Sequence, residues 1–363
     1  MKHKSIVFGL FSFFVMGLGT MFFLGSQNVQ SDSLKQVENS RTSVLEGDDI
    51  YLPIVVKNAD DDSCSAIQAA IDALPNTGGK ILLSDGTFIC STAIVIARNN
   101  VTLQGEGAST ILLLADNINS PVLVIGDTAT PTTTVYHNIH VSDLTIDGNR
   151  SNQTQECWSG SCDSGGLAYI RNNGITVRGV RDVHIERISV LRARSGGLVT
   201  EKGCERITVN NFSSTDNEFD GIAAYETENS SFSNLYLYDN PFAGLSLDIQ
   251  FNNNIVHNAI MTDNGKQGIF MRDSRDNLFS DIQIRGSGEQ GLFLAQVDSD
   301  STKPAFGNTF HGLVVSDSVG AGMRVNDASC ENNLVVGAQF INNAECISEQ
   351  TPDLVEKVGI ICR

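Results

Sequence analysis

The stretch DNEFDGIAAY occupies residues 216–225, and its frame returns as DNPFAGLSLD at 239–248 and DNGKQGIFMR at 263–272. Asp-Asn, three variable residues, Gly and an apolar residue are shared, while the last residue changes from Tyr225 to Asp248 to Arg272. The glycine recurs at Gly174, Gly197, Gly221, Gly244, Gly268, Gly291 and Gly322, with spacings of 23, 24, 23, 24, 23 and 31 residues. A fixed period of this length marks a solenoid, in which each repeat buries its apolar face only against its neighbours. The long last period carries extra residues around 297–306.

Each period is too short for a strand–helix–strand unit. It contains short alternating apolar runs, such as Ile207-Thr-Val, Leu235-Tyr-Leu and Leu278-Phe-Ser-Asp-Ile-Gln-Ile, split by Asn, Asp, Ser and Gly. Such runs are short strands joined by turns. The fold expected is therefore all-β, a right-handed parallel β-helix; the regular leucine ladder of a leucine-rich repeat is missing. Asn254, Asn277, Asn308 and Asn333 recur just before strands and read as a structural side-chain stack. At the other end, Ala66, Ile67, Ala70, Ile71 and Leu74 share one helical face. Residues 63–74 are thus predicted to be an N-terminal capping helix, stopped by Pro75 and Gly78-Gly79.

The chain of 363 residues carries 42 Asp and Glu against 24 Lys and Arg, a net charge of −18. That charge argues against nucleic acid as a partner. Lys2, His3 and Lys4 precede an apolar run at 6–24 and then Gly25-Ser26. Residues 1–26 read as a signal peptide or an uncleaved anchor, which predicts a secreted or periplasmic protein with a membrane partner only if the segment is retained. Residues 27–58 read as a linker and 59–363 as the β-helix domain. Eight cysteines suit an oxidising compartment and allow four bridges, with Cys157 and Cys162 closing one loop. No Gly-Gly-x-Gly-x-Asp calcium repeat occurs, so no cofactor or metal is expected, with Ca²⁺ left open.

Side chains alternate along a strand. The residue after each frame glycine is apolar in every coil and is predicted to point inward: Ile175, Leu198, Ile222, Leu245, Ile269 and Leu292. The fourth residue then points outward, giving the row Arg178, Glu201, Tyr225, Asp248, Arg272 and Ala295. The candidate catalytic residues are Glu201, Tyr225 and Asp248, with Tyr225 acting as acid or base if a neighbouring cation lowers its pKa. Arg178, Lys202 and Arg272 are the candidate substrate-binding residues. The blander alternative is a solvated strand face laced with ion pairs. Ala223 and Ser246, at the second position, leave room for a groove, and the loops 149–173 and 297–306 are candidate rims. Residues 150–206 hold nine Lys and Arg against six Asp and Glu. That local excess points to an anionic ligand.

The run DSCSAIQAAIDALPNTGGKILLSDGTF, followed by VTLQGEGASTIL and VSDLTIDGNR, resembles the opening of pectate-lyase-like β-helix proteins. With RDVHIERISVLRARSGG, DNEFDGIAAY and YDNPFAGLSL, the order most resembles the catalytic module of mannuronan (alginate) C5-epimerases. The resemblance covers about residues 60–345 and implies a polysaccharide partner and a site on the row. Those epimerases carry Asp-Pro-His-Glu where this chain has Val199-Thr200-Glu201-Lys202. Uronate epimerase or polysaccharide lyase is the leading expectation. An inverting glycoside hydrolase is an alternative, since Glu201 and Asp248 stand two coils, about 9.6 Å, apart. A non-catalytic glycan-binding β-helix is the third.

Overall fold

The computed structural model describes residues 54–56, 63–157, 161–162 and 165–363. The predicted leader 1–26 and most of the linker 27–58 lie outside the described residues. Within that linker range, Ile54–Val56 is a strand pairing in parallel with Ile81, Leu82 and Leu83, so the solenoid begins earlier than expected. The helix Ser63–Ala73 follows, burying Ile67 and Ile71 completely. From there the chain winds as parallel strands, each hydrogen-bonded to its counterpart one coil on. Among the described residues no helix is long and apolar enough to cross a membrane.

The register of the repeating face agrees with the glycine count. Ile175, Leu198, Ile222, Leu245, Ile269 and Leu292 are successive partners and are fully buried. A one-residue slip would turn this whole column to solvent, so burial locks the register.

The Asp-Asn of the repeated frame has two structural jobs. Asp216, Asp239 and Asp263 sit in the left-handed region, with φ of 54°, 53° and 54°, and make the corner of each coil. Short polar side chains tolerate that conformation best after glycine. Asn217, Asn240 and Asn264 turn inward and form a ladder: Asn217 donates to Asn240 at 2.9 Å and Asn240 to Asn264 at 3.1 Å. A second buried ladder runs Asn277–Asn308–Asn333, with donor distances of 2.8 and 3.0 Å, and Asn254 enters it through its amide N–H to Asn277. The frame glycine is required by this packing. A Cβ on Gly221 would lie 2.8 Å from the Gly244 carbonyl and 3.0 Å from the Asn240 side-chain nitrogen.

Three disulfides form, not four: Cys64–Cys90 ties the helix to a strand, Cys157–Cys162 closes its loop, and Cys346–Cys362 staples the last coil. Cys204 and Cys330 remain thiols inside the solenoid, and burial pushes them up to about 12 and about 11. They face the interior of different coils, so no partner reaches them. The loop 149–173 contains two short 3-10 turns, and the extra residues near 297–306 form a hairpin whose strand Asp300–Pro304 runs antiparallel to Leu292–Val297.

Asn240→Ala should lower stability by about 1–3 kcal/mol, because it leaves buried partners unsatisfied. Ser280→Ala, whose hydroxyl makes only an exposed hydrogen bond to His257, should change it by less than about 0.5 kcal/mol. Chemical denaturation of both variants checks the contrast. Alkylation of unfolded, unreduced protein should label two cysteines, Cys204 and Cys330, and reduction should expose six more.

Candidate functional site

The row stands on the face that begins each coil. Tyr225 and Asp248 are direct register partners, as are Arg178 and Glu201. Arg272 binds Asp248 through Nε at 3.1 Å and through a second guanidinium nitrogen, so the downstream half of the row is a forked ion pair. The register thus brings Glu201, Tyr225, Asp248 and Arg272 together.

Arg178 is placed differently from the expectation of a substrate-binding group. Its side chain is fully buried. It donates to the Ala129 carbonyl at 3.2 Å and to Thr130 Oγ1 at 3.0 Å, under the loop 127–134. That loop is cinched by Asp127, which accepts hydrogen bonds from the amides of Ala129, Thr133 and Thr134. From below, Arg178 Nε lies 3.0 Å from Glu201 Oε1, off line for a hydrogen bond. A sealed guanidinium cannot touch a polymer, so Arg178 acts only through Glu201. Lys202 leaves the row at a left-handed corner, φ 62°, and its ammonium lies 3.4 Å from Glu226.

The local basic zone does not present free charge. Each of the nine cations within 150–206 pairs with a carboxylate, several of which come from outside the segment: Asp143 for Arg187, Asp147 for Arg192, Asp216 for Arg150 and Glu218 for Arg194. Counting charge along the chain missed this because the partners lie a coil away.

Electrostatics within the row follow burial. Desolvation pushes the Glu201 and Asp248 carboxyls up, opposed by Arg178 and Arg272 respectively. Desolvation also raises the Tyr225 phenol, and the neighbouring carboxylates Asp220 and Asp248 raise it further. This reverses the expectation of a lowered pKa: carboxylates, not a cation, dominate its surroundings, so Tyr225 keeps its proton at neutral pH.

Asp220, the residue before the frame glycine, is the group that counting forward from each glycine passes over. Burial pushes its carboxyl up to about 6, against a 2.9 Å hydrogen bond from the Ala243 amide and the charges of Arg171 and Lys266. Counting backward gives Asn173, Gly196, Asp220, Ala243, Gln267 and Gln290, in which one carboxylate stands out. Asp220 lines a groove of about 530 Å³ that runs downstream over Ser246, Phe270, Phe293 and Arg324. Phe219 and Phe242 pack at a tilt of 37° along its edge with ring centroids 4.7 Å apart, capped by Arg171 at 4.5 Å and by Lys266 at 4.6 Å. Arg171 comes from the loop 149–173, which therefore is a rim. The hairpin reaches the row through Asp298, 3.9 Å from Arg272.

A parallel β-helix with a groove of charged and aromatic side chains across its coils is the class this geometry defines. The chain belongs to the family described as periplasmic copper-binding protein (NosD), whose model matches residues 143–356. Among curated relatives, mannuronan C5-epimerase AlgE2 of Azotobacter vinelandii is 28% identical over 248 residues, 65% of this chain and 24% of the relative. Alginate lyase 7 of the same organism is 28% identical over 195 residues, 51% of this chain and 22% of the relative. The chain thus spans about a quarter of the length of such relatives. The AlgE4 A-module of Azotobacter vinelandii superposes with a TM-score of 0.62 at 19% identity, covering 83% of this chain and 91% of the module, which shows a shared fold.

The copper of the family's description finds no matching donor set here. Among the described residues no group of three His, Cys, Asp or Glu side chains is placed to hold a metal ion. Met261, Met271 and Met323 are fully buried in the core, and the two thiols are buried in separate coils.

Ionising Asp220 costs the folded state, since its folded pKa of about 6 lies above the ordinary 3.8. The cost is absent below about pH 4 and complete above about pH 7. Asp220→Asn, which retains an acceptor for the Ala243 amide, should therefore raise Tm relative to wild type at pH 7.5 and leave it unchanged at pH 4. Melting curves at the two pH values check this.

Proposed function

We infer that this chain acts on an acidic polysaccharide outside the cytoplasm, as a uronate C5-epimerase or a polysaccharide lyase. The observation that carries the reading is a carboxyl raised to about 6 at one end of a groove that crosses several coils, within electrostatic reach of a phenol that holds its proton. Both reactions begin by removing the proton on the carbon next to the sugar carboxylate. The ideal base for that has a pKa close to the working pH, and Asp220 has one. Lys266, whose ammonium lies over Phe242, supplies positive charge to the carboxylate as electrons move onto it. Tyr225 is the acid. In epimerisation its proton goes to the opposite face of the same carbon. In elimination the electron pair expels the oxygen on the adjacent carbon, a C=C bond forms, and Tyr225 protonates the departing oxygen.

Glu201 and Asp248 complete the row, and Arg272 orients Asp248. Arg178 is a positioning residue beneath Glu201, and Lys202 a flank to the row. The mannuronan epimerases and the alginate lyase among the relatives support the substrate class, and three disulfides support the location. The inverting hydrolase is the weaker reading. It needs a carboxylic acid free to give up a proton, and both Glu201 and Asp248 are tied to an arginine.

Incubation with polymannuronate, polygalacturonate, hyaluronan and neutral glycans distinguishes the reactions. Changed proton NMR with intact chains is expected of an epimerase, and unsaturated-uronate absorbance of a lyase. Tyr225→Phe should lower turnover roughly 100-fold or more, with stability changed by no more than about 1 kcal/mol. Inert wild-type protein on every polymer, or full activity in both Tyr225→Phe and Asp220→Asn, would refute the reading.

A further inference from the structure

Downstream of Asp220 the groove crosses the coil at Gly244, which adds no charged side chain to it, and then three coils whose charges differ. The first, at Gly268, carries Lys266 at the rim. The second, at Gly291, carries Glu289 at the corresponding place and Phe293 on the floor. The third, at Gly322, carries Arg324 on the floor. Among the described residues neither Lys266 nor Arg324 forms an ion pair. Lys266 leans upstream over the Phe242 ring at 4.6 Å, and Arg324 Nε donates to Asn326 at 3.2 Å. Arg272, which shares the first coil, is already bound to Asp248. Glu289 forms no ion pair either, but accepts a hydrogen bond of 2.6 Å from Gln267. The groove therefore reads cation, anion, cation.

Successive coils are about 4.8 Å apart, close to the length of one sugar ring along an extended chain. Each coil can then meet one sugar. The floor between the two cations is the stacked pair Phe270 and Phe293, with centroids 5.5 Å apart and planes 6° from parallel. Neither ring offers a partner for a carboxylate comparable to a free cation. The Gln267 and Gln290 amides beside them suit a neutral, hydrogen-bonding substituent. Arg275, Lys303 and the other nearby cations are engaged elsewhere: Arg275 with the Thr302 carbonyl and Lys303 with Asp300.

We propose that the groove selects a glycan whose acidic sugars are separated by a neutral one, with Glu289 as the residue that excludes a carboxylate from the middle position. The proposal rests on the polysaccharide reading above and adds the charge pattern of the substrate. Lys266 and Arg324 hold the two acidic sugars. A uniformly charged polyuronate bound in the same groove sets a like charge beside Glu289 and is weakened by it.

Calorimetric titration at fixed low salt tests this with three probes: hyaluronan, which alternates a uronate with a neutral amino sugar, polymannuronate and polygalacturonate. Hyaluronan is expected to bind more tightly per binding site than either uniform polymer. Glu289→Gln should tighten both uniform polymers by about threefold or more while leaving hyaluronan unchanged. Lys266→Gln with Arg324→Gln should weaken all three and flatten their salt dependence. Uniform polymers that bind as well as hyaluronan, or that are indifferent to Glu289→Gln, would overturn the charge pattern while leaving the polysaccharide reading intact. Failure of all three probes, and of neutral glycans, to bind would overturn both.

Discussion

The buried asparagine ladders are the constraint on which the rest of this structure depends. An amide side chain enclosed in an apolar solenoid must satisfy both its donor and its acceptor. Asn217, Asn240 and Asn264 do so by bonding along the axis, each to its counterpart one coil on. That arrangement works only if the coils keep matching corners in register, and the extra residues of the longest coil are put out as a hairpin. It explains the left-handed Asp before each Asn and the glycine after it, where a side chain would strike the ladder. Uniform coils in turn stack the fourth residue after each glycine into a straight row. The alignment of the row is thus a by-product of satisfying buried amides.

Burial also sets the properties of the acidic groups. Glu201, Asp220, Asp248 and Tyr225 are all pushed toward their protonated forms by desolvation. Arg178 and Arg272 answer that pressure on Glu201 and Asp248, each through a direct ion pair. Asp220 has no such partner and is left near neutrality. Three carboxyls that would titrate alike in water therefore separate into two held by arginine and one poised to exchange its proton, beside a phenol that keeps its own. A separation of this kind is what acid–base chemistry at neutral pH requires.

Membership of a family described by copper, together with relatives described by sugar chemistry, reflects a shared scaffold. A stacked coil is a general device, and function resides in what stands on its surface. Here that surface offers a groove of carboxylates, aromatic rings and two unpaired cations, while the sulfur donors of the described residues are enclosed in the core.

The sequence by itself determined the period, the inward column and the row. Strand alternation and coil stacking are local, repetitive rules, so a count from Gly174 to Gly291 places Leu198 inside and Tyr225 outside without any knowledge of distant contacts. The capping helix and the asparagine stack were legible for the same reason. What only the tertiary structure decided is every property that depends on partners from other coils or loops. The loop 127–134 closes over Arg178 and removes it from any ligand. Carboxylates up to a few coils away neutralise the cations of 150–206, and burial, with Asp220 and Asp248 nearby, raises the Tyr225 phenol instead of lowering it. Cys204 and Cys330 stay reduced because solenoid geometry holds them in separate coils. Burial and charge are sums over three-dimensional neighbours, and a linear period specifies the positions that make up such a sum but not its value.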